Sequence, residues 1–255
     1  MQFTYEELAG MIDHSLLHPT LTDRELAEGC QLAAKYGVAS VCVKPYAVRM
    51  ARKLLRGSNV KVGAVVGFPH GSNSTEVKRY ETECACRDGA AEIDMVVNVG
   101  KVLSEDWNYV RKDIRTVVKE AHRLGAIVKV IFENDFLSED RLKIELCHIC
   151  ERTGADFAKT STGYGFVKGA DGRYSYRGAT EHDLLLMRAS CSPKVQVKAA
   201  GGVRDLDALI RCRELGVTRV GATATANIMD EYRRRAQSLS SQRGRKASRL
   251  GRGGY

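Results

Sequence analysis

Apolar and polar positions follow two alternating patterns along most of the chain. Eight short apolar runs have the length and composition of buried β-strands, and the segments between them show the 3.6-residue spacing of amphipathic helices. Residues 106–125, for example, keep this helical spacing and end on a glycine, as helices often do. The eight predicted strands read MIDHSL, VASVCV, VKVGAVV, AEIDMVV, AIVKVIF, ADFAKT, VQVKAA and RVGATA.

This order of elements predicts the fold class. Eight strands that alternate with helices over about 220 residues are typical of an α/β protein with a (β/α)8 TIM barrel. The amphipathic start of the chain predicts a short N-terminal helix before the barrel. A doubly wound sheet of the flavodoxin or Rossmann type is the alternative, although no G-x-G-x-x-G follows the first strand.

The strands also carry polar residues at regular positions. Side chains along a barrel strand alternate between the interior and the helix layer, so the apolar residues of AEIDMVV face outward and Glu92 and Asp94 face inward. The other polar side chains that this alternation turns inward are Asp13, Cys42, Lys44, Lys129, Glu133, Lys159 and Lys198. Ionised groups inside a barrel are costly unless paired, so this interior indicates a function. Neutralisation of nearby acids is the structural alternative for Lys129.

The lysine of DFAKTSTGYG, Lys159, stands at the end of a predicted strand. Taken alone, such a lysine is more often a strand-end charge satisfied by a neighbour or by water. A buried lysine near another cation has a lowered pKa and becomes a nucleophilic amine near neutral pH. Lys198 lies on the adjacent predicted strand, and Asp94 across the barrel offers an acid or base. Together they predict imine chemistry on a carbonyl substrate.

Glycines follow the seventh and eighth predicted strands. KAAGGVRDLDAL places Gly201 and Gly202 between a strand and a helix, and RVGATATANIM places Gly221 and Thr223 after the next strand. Taken singly, each glycine indicates a tight turn. Their joint location predicts a phosphate site built from backbone amides, because barrels often bind phosphate at these two loops. We therefore expect a small phosphorylated substrate.

Composition excludes several classes of protein. A length of 255 residues with 44% hydrophobic residues is sufficient for a full core. No apolar run approaches the roughly 20 residues of a membrane span, and the N-terminus lacks the basic and then apolar pattern of a signal peptide. We expect a cytoplasmic protein with no membrane partner.

The net charge of +9 is concentrated at the C-terminus. Residues 231–255 carry eight basic residues and one acidic residue, a net charge of +7, which leaves +2 for residues 1–230. We assign residues 1–230 to the barrel and residues 231–255 to a flexible tail rich in Arg, Gly and Ser. A barrel that has lost catalysis and binds RNA through this tail is an alternative. The presence of Lys159, Lys198 and Asp94 argues against it, and we expect no nucleic-acid partner.

The eight cysteines are scattered along the chain and are expected to be reduced thiols. Cys147 and Cys150 have a spacing seen in zinc sites. They lie in a helical pattern without a second ligand pair of matching spacing, so no metal site is predicted.

Seven motifs together indicate a family. In this order and spacing they resemble the deoxyribose-phosphate aldolases over about residues 11–228: IDHSLLHP, VCVKP, GFPHG, EIDMVVNVG, DFAKTSTGYG, KAAGGVRD and GATATANI. The resemblance implies a class I aldolase on a (β/α)8 barrel that needs no metal or other cofactor. It also implies reversible cleavage of 2-deoxy-D-ribose 5-phosphate into D-glyceraldehyde 3-phosphate and acetaldehyde.

The resemblance also assigns roles to residues. It implies that Lys159 forms the Schiff base, that Lys198 lowers the pKa of Lys159, and that Asp94 relays protons through water. Tyr255 corresponds to a mobile C-terminal tyrosine that assists proton transfer in some members. Cys42 corresponds to a thiol beside the site that aldehyde products can attack. Thr162 is a further substrate-binding position, Asp13 and Ser15 line the hydroxyl end, and the positions at the phosphate end are Gly163, Gly201, Gly202, Arg204, Gly221 and Thr223.

The sequence departs from the family pattern at three places. The segment after KTSTG is longer, with an insertion at residues 166–177 that would form a lid or a subunit contact, and Tyr164 stands where a lysine can assist phosphate binding. Asn134 and Asp135 stand where smaller or hydroxyl residues are common, and Ala224 replaces a possible phosphate-binding hydroxyl. The basic residues of the insertion that could replace the missing charge are Lys168, Arg173 and Arg177.

These departures leave the substrate open. A Schiff-base aldolase for a different phosphorylated or unphosphorylated sugar is therefore the enzymatic alternative. Because the outer helices of such barrels often form dimers, we expect a homo-oligomer, in the simplest case a dimer.

Overall fold

Eight parallel strands close into a barrel in the computed structural model, which describes the backbone of residues 2–250 and the side chains of residues 2–239. The strands are β1 (Ile12–Leu16), β2 (Ser40–Val43), β3 (Lys61–Val66), β4 (Glu92–Val96), β5 (Ile127–Ile131), β6 (Phe157–Lys159), β9 (Gln196–Ala200) and β10 (Arg219–Ala222). Around the barrel they run in the order β1, β10, β9, β6, β5, β4, β3 and β2. The TIM barrel and all eight predicted strands are confirmed.

Helices connect the strands and cover the outside of the barrel. Over residues 2–250 they are α1 (Tyr5–Ala9), α2 (Asp23–Tyr36), α3 (Val48–Leu54), α4 (Thr75–Asp88), α5 (Val99–Leu103), α6 (Trp107–Arg123), α7 (Asp140–Thr153), α8 (Glu181–Ser190), α9 (Leu206–Glu214) and α10 (Thr225–Leu250). Helix α1 is the predicted N-terminal helix. In this part of the chain no helix combines the length and apolar character that crossing a membrane requires.

Local sequence signals set the ends of these helices. At the start of α2, the Thr22 hydroxyl accepts a hydrogen bond from the Glu25 amide, and the Glu25 carboxylate accepts one from the Thr22 amide. Gly37 ends α2 with φ 64°, a left-handed conformation that glycine adopts without strain. Such caps keep the helices short enough to return the chain to the next strand.

The alternation of side chains along the strands is observed as predicted. On β4, Ile93 and Met95 are fully buried in the apolar layer between the barrel and its helices. Glu92 and Asp94 point into the barrel, where Asp94 is in register with Lys129 of β5. The barrel interior is therefore a polar layer enclosed by an apolar one.

A small hairpin follows β6 at the carboxyl end of the barrel. It consists of two antiparallel strands, β7 (Val167–Lys168) and β8 (Tyr174–Ser175). This hairpin is the structure of the insertion at residues 166–177, which the sequence shows only as a longer connection.

The C-terminal segment differs from its prediction over part of its length. The sequence predicts a flexible tail from residue 231, whereas α10 continues to Leu250. Glu231 forms ion pairs with Arg234 and Arg235 one turn later, and Arg235 also pairs with Asp207 of α9. These pairs favour a helix in a segment whose composition alone suggests disorder. Tyr255 lies outside the described residues.

Candidate active site

The carboxyl ends of the strands surround a cleft of about 400 Å³. Twelve of the residues predicted for the site line this cleft: Asp13, Ser15, Cys42, Lys159, Thr162, Gly163, Lys198, Gly201, Gly202, Arg204, Gly221 and Thr223. Asp94 lies directly beneath the two lysines. The structure thus brings together the predicted residues that it describes, at the end of the barrel where such folds place their chemistry.

Two lysines share one carboxylate at the bottom of the cleft. Lys159 of β6 and Lys198 of β9 are register partners on adjacent strands. Both Nζ atoms donate hydrogen bonds to Oδ2 of Asp94, each at 2.7 Å. Lys159 is 3% exposed, Lys198 is 1% exposed and Asp94 is fully buried. A substrate that reaches Lys159 therefore meets an amine, a second cation and a carboxylate within hydrogen-bonding distance of one another.

Lys129 belongs to the layer beneath this trio. Its Nζ donates to Oδ1 of Asp94 at 2.8 Å and to Oε2 of Glu92 at 2.5 Å, and it lies 3.4 Å from Oδ2 of Asp13. The structural alternative for Lys129 is therefore correct, because this lysine neutralises the buried acids. It also fixes the orientation of the Asp94 carboxylate.

Arg219 completes this layer and was not anticipated from the sequence. Its guanidinium forms ion pairs with Asp13 and Glu92. The signal was present, because Arg219 lies two residues before Gly221 and therefore has the same inward parity on β10. Asp13 also lies 2.6 Å from Lys198, so the layer is connected to the cleft through Asp13 as well as through Lys129.

The charges in this cluster do not balance when every group is ionised. It contains the four basic residues Lys129, Lys159, Lys198 and Arg219, and the three acids Asp13, Glu92 and Asp94. Burial makes a net charge unfavourable, so loss of one proton from a lysine would restore neutrality.

The pKa shifts identify which lysine gives up its proton. Burial lowers the pKa of Lys159; Asp94 opposes this effect and the charge of Lys198 adds to it, so the net pKa is below the ordinary value. Burial also lowers the pKa of Lys198, but Asp13 and Asp94 outweigh it and raise the net pKa above the ordinary value. Lys159 is thus the better nucleophile and Lys198 the persistent cation.

The same lysines keep Asp94 ionised. Burial raises the pKa of this carboxyl group, but Lys129, Lys159 and Lys198 together hold it well below its usual range. Asp94 therefore accepts hydrogen bonds from all three lysines near neutral pH. A carboxylate in this position can hold a proton only transiently, as proton relay requires.

Cys42 lines the cleft from β2, where it is in register with Ser15 of β1. Burial raises the pKa of its thiol to about 11. The thiol is therefore protonated near neutral pH and a weak nucleophile in the resting site.

The predicted phosphate end depends on two glycines. Gly201 and Gly202 have φ angles of 83° and 92°, which other residues adopt only with strain. A Cβ atom on Gly201 would lie 3.0 Å from the backbone of Gly178. Apart from the two central lysines, Arg204 is the one Lys or Arg among the described residues that line the cleft. The hairpin cations proposed as substitutes do not line it: Lys168, Arg173 and Arg177.

The loop after β5 contacts the segment that follows Lys159. Glu133 has a left-handed backbone with φ 48° and accepts hydrogen bonds from the amide and hydroxyl of Thr162. Asp135 accepts hydrogen bonds from the amides of Arg177 at 2.6 Å and Gly178 at 3.0 Å. Two of the departures noted in the sequence, Asp135 and the insertion, are therefore in direct contact.

One inward position is wrong. Lys44 lies beyond the end of β2, and its Nζ donates to the carbonyl of His18 at 2.9 Å on the rim of the barrel. The strand ends at Val43, so alternation no longer applies at the next residue.

Comparison with known proteins agrees with the fold and the site. A model of the DeoC/LacD family aldolases matches residues 8–222 of this chain. The chain belongs to the DeoC/LacD aldolase family. Membership of an aldolase family accounts for the polar barrel interior, because an aldolase site needs ionisable side chains.

Individual members of this aldolase family are similar over most of their length. The deoxyribose-phosphate aldolase of Rhodopirellula baltica is 47% identical over 232 residues, which are 91% of this chain and 92% of that protein. The solved structure of the aldolase QR15 is 34% identical with a TM-score of 0.82, covering 91% of this chain and 99% of QR15. The tetrameric deoxyribose phosphate aldolase of Aeropyrum pernix is 28% identical with a TM-score of 0.79, covering 90% and 92%.

Proposed function

We propose that this aldolase reversibly cleaves 2-deoxy-D-ribose 5-phosphate into D-glyceraldehyde 3-phosphate and acetaldehyde through a Schiff base on Lys159. The observation that carries the proposal is the pair of lysines in register, which share one oxygen of Asp94 and have pKa values shifted in opposite directions. Similarity to deoxyribose-phosphate aldolases supports the choice of substrate.

The reaction begins with the neutral amine of Lys159. Its lone pair attacks C1 of the open-chain sugar, and the resulting carbinolamine loses its hydroxyl group as water to give a protonated imine. The cation of Lys198 supports the low pKa of Lys159, and together with Asp94 it can protonate the carbinolamine hydroxyl, which then leaves as water.

Carbon–carbon cleavage uses the imine as an electron sink. A base takes the proton from the C3 hydroxyl, the C2–C3 bond breaks, and its electron pair forms the enamine on Lys159 while C3 becomes the aldehyde of glyceraldehyde 3-phosphate. Protonation of the enamine at C2 and hydrolysis of the imine release acetaldehyde and regenerate the amine. We assign the proton transfers to Asp94 acting through water, and Tyr255 stays a predicted assistant at the C2 step.

The remaining site residues bind the substrate in this proposal. Asp13 and Ser15 hold sugar hydroxyl groups, and Thr162 and Gly163 contribute to substrate binding from the segment after β6. The phosphate lies against the backbone of the two loops after β9 and β10: Gly201, Gly202, Arg204, Gly221 and Thr223.

Borohydride trapping tests the Schiff base directly. The protein is incubated with acetaldehyde, reduced and digested, and the mass increase is located by peptide mass spectrometry. We expect the adduct on Lys159 and its loss in Lys159→Leu. A matched control is Lys78→Leu, because Lys78 is also fully buried but pairs with Asp113 outside the barrel. A folded wild-type protein without an adduct would refute the proposal.

A second candidate function has support from the aromatic residues that line the cleft. Tyr164, Phe166 and Tyr176 line it and bring no positive charge. This lining favours an aldolase for an unphosphorylated or differently phosphorylated sugar. Turnover of 2-deoxyribose compared with 2-deoxyribose 5-phosphate separates the two candidates.

The assembly of the protein is part of the same proposal. We infer a homo-oligomer, in the simplest case a dimer, since an aldolase of this family from Aeropyrum pernix is tetrameric. Light scattering coupled to size-exclusion chromatography would measure the number of subunits. The cytoplasmic location predicted from the sequence stays a prediction.

A further inference from the structure

The hairpin of residues 166–177 places two aromatic rings in the cleft. Phe166 precedes β7 and Tyr176 follows β8, and their ring centroids lie 5.3 Å apart at an interplanar angle of 82°. Both residues line the same cleft as Gly201 and Gly202. Of the two expectations for the insertion, a lid or a subunit contact, this position is nearer to the first, because the insertion forms a wall of the proposed active site.

Contacts at both ends hold this wall in place. At its start, Glu133 binds Thr162, and a Cβ atom on Gly165 would lie 2.5 Å from the Glu133 carboxylate. At its end, Asp135 accepts hydrogen bonds from the amide of Arg177, the last hairpin residue, and from that of Gly178, the residue after it. The carboxylates of a single loop thus hold the beginning and the end of the insertion.

The end of the hairpin is also fixed to the glycine loop. Gly178 has φ 69°, and a Cβ atom there would lie 2.8 Å from the backbone of Gly201. The amide of Ala179 donates to the Gly201 carbonyl at 3.1 Å. The aromatic pair and the glycine loop are therefore joined by backbone contacts, and a substrate group between them would contact both.

We propose that Phe166 and Tyr176 are specificity-determining residues that bind the end of the substrate remote from Lys159. The inference rests on the proposed function and names the part of the substrate that these residues recognise. The ring of Phe166 packs against the carbon chain next to C5, and the hydroxyl of Tyr176 donates to the phosphate. Aromatic walls with one polar group are typical of sites that select by shape and a single hydrogen bond.

This arrangement compensates for the scarcity of charge at that end. Tyr164 occupies the position of a lysine in the family pattern, and Arg204 is the remaining cation among the described residues that line this end. Binding through apolar contact acts on phosphorylated and unphosphorylated sugars alike, whereas a hydroxyl donor acts on the phosphate. The two residues therefore have separable effects.

Steady-state kinetics with 2-deoxyribose 5-phosphate and 2-deoxyribose test the proposal. For Phe166→Ala we expect KM to rise about tenfold for both sugars with kcat nearly unchanged, which equals a loss of ~1.4 kcal/mol in binding. For Tyr176→Phe we expect a rise in KM for the phosphorylated sugar alone. Val167→Ala is the matched control, because Val167 is the next residue on β7 and does not line the cleft.

Several results would contradict the proposal. Unchanged KM values in Phe166→Ala and Tyr176→Phe overturn it, and so does an equal rise in Val167→Ala, which would assign a purely structural role to the hairpin. If Phe166→Ala does not fold, the ratio of the two KM values in Tyr176→Phe decides alone. A wild-type protein that traps acetaldehyde on Lys159 while the variants behave normally preserves the proposed function and refutes only this inference. Absence of both trapping and turnover refutes the proposed function itself.

Discussion

Lys159 and Lys198 occupy equivalent positions on neighbouring strands, yet their pKa values move in opposite directions. Both share Asp94, so the difference arises from the acid that only one of them contacts. Asp13 lies 2.6 Å from Lys198 and stabilises its charged form. One additional carboxylate thus divides two similar lysines into a nucleophile and a cation.

The opposite pKa shifts of the two lysines predict how Lys198→Met changes the dependence of kcat/KM on pH. Without the neighbouring cation, Asp94 dominates and the pKa of Lys159 rises, so less neutral amine is present at a given pH. We expect kcat/KM near neutral pH to fall by about tenfold for each unit by which the pKa rises. The acidic limb of the pH–rate profile should move to higher pH, with activity partly recovered in alkaline solution. Lys194→Met on the surface should leave the profile unchanged; a lowered rate with an unmoved limb would contradict the explanation.

The charge of Asp94 is shared by the two catalytic lysines, so its removal should affect catalysis directly. Asp94→Asn keeps the size of the side chain but removes the charge that both catalytic lysines contact. Because general acid–base catalysis commonly contributes about 10²- to 10⁴-fold, we expect a loss of kcat in that range. Thermal unfolding should be recorded in parallel, because a loss of kcat indicates a catalytic role only if the variant stays folded. Retention of full kcat would exclude Asp94 from the proton relay.

The loop after β5 connects two elements, the barrel and the hairpin. The Asp135 carboxylate joins this loop to the end of the hairpin, 42 and 43 residues further along the chain. Asp135→Ala should release the hairpin end, and hydrogen exchange of the hairpin amides should accelerate while the barrel strands keep their protection. Asp171→Ala, which affects only the hairpin turn, is the control. Equal exchange in wild type and Asp135→Ala would show that other contacts hold the hairpin.

Elements with a strong periodicity of apolar and polar residues were predictable from the sequence. Elements that depend on contacts between residues far apart in the sequence were not. The strands and the inward positions of Glu92, Asp94 and Lys198 follow from alternation, which the sequence displays directly. The hairpin wall depends on a contact between Asp135 and Gly178 that no local pattern encodes. The helix at residues 231–250 is similar, because the pairing of Arg235 with Asp207 lies outside the segment itself.

At the scale of the whole molecule, the buried charge layer links opposite sides of the barrel. Arg219 of β10 pairs with Asp13 of β1 and with Glu92 of β4, so three strands that are far apart in sequence share one guanidinium. Removing one partner of a buried ion pair typically costs about 3–5 kcal/mol, because the other charge stays buried.

Arg219→Met should therefore lower the free energy of unfolding by about 3–5 kcal/mol in urea denaturation. The loss in the double variant Arg219→Met, Glu92→Gln should be smaller than the sum of the losses in the two single variants, since Arg219 and Glu92 contact each other. An additive double variant would indicate that Arg219 and Glu92 do not stabilise each other.

Truncation at two positions near the C-terminus distinguishes an effect on stability from the loss of Tyr255. Beyond residue 230, α10 is attached to the barrel: the Tyr232 hydroxyl donates to the Phe3 carbonyl at 3.0 Å, and Arg235 pairs with Asp207. Removal of residues 231–255 should therefore lower Tm, by about 2–4 °C for each kcal/mol lost in a chain of this size. Removal of residues 251–255 spares these contacts and should leave Tm unchanged while taking away Tyr255.

These two truncations test the role of the terminal tyrosine without confusing it with stability. If Tyr255 assists proton transfer at C2, the shorter truncation and Tyr255→Phe should both slow deuterium incorporation into the α-carbon of acetaldehyde, measured by NMR in D₂O, with imine trapping on Lys159 preserved. Equal exchange rates in all three proteins would remove Tyr255 from the mechanism. RNA binding that disappears only with the longer truncation would instead favour the alternative in which the basic segment recognises nucleic acid, because seven of its eight basic residues remain after the shorter one.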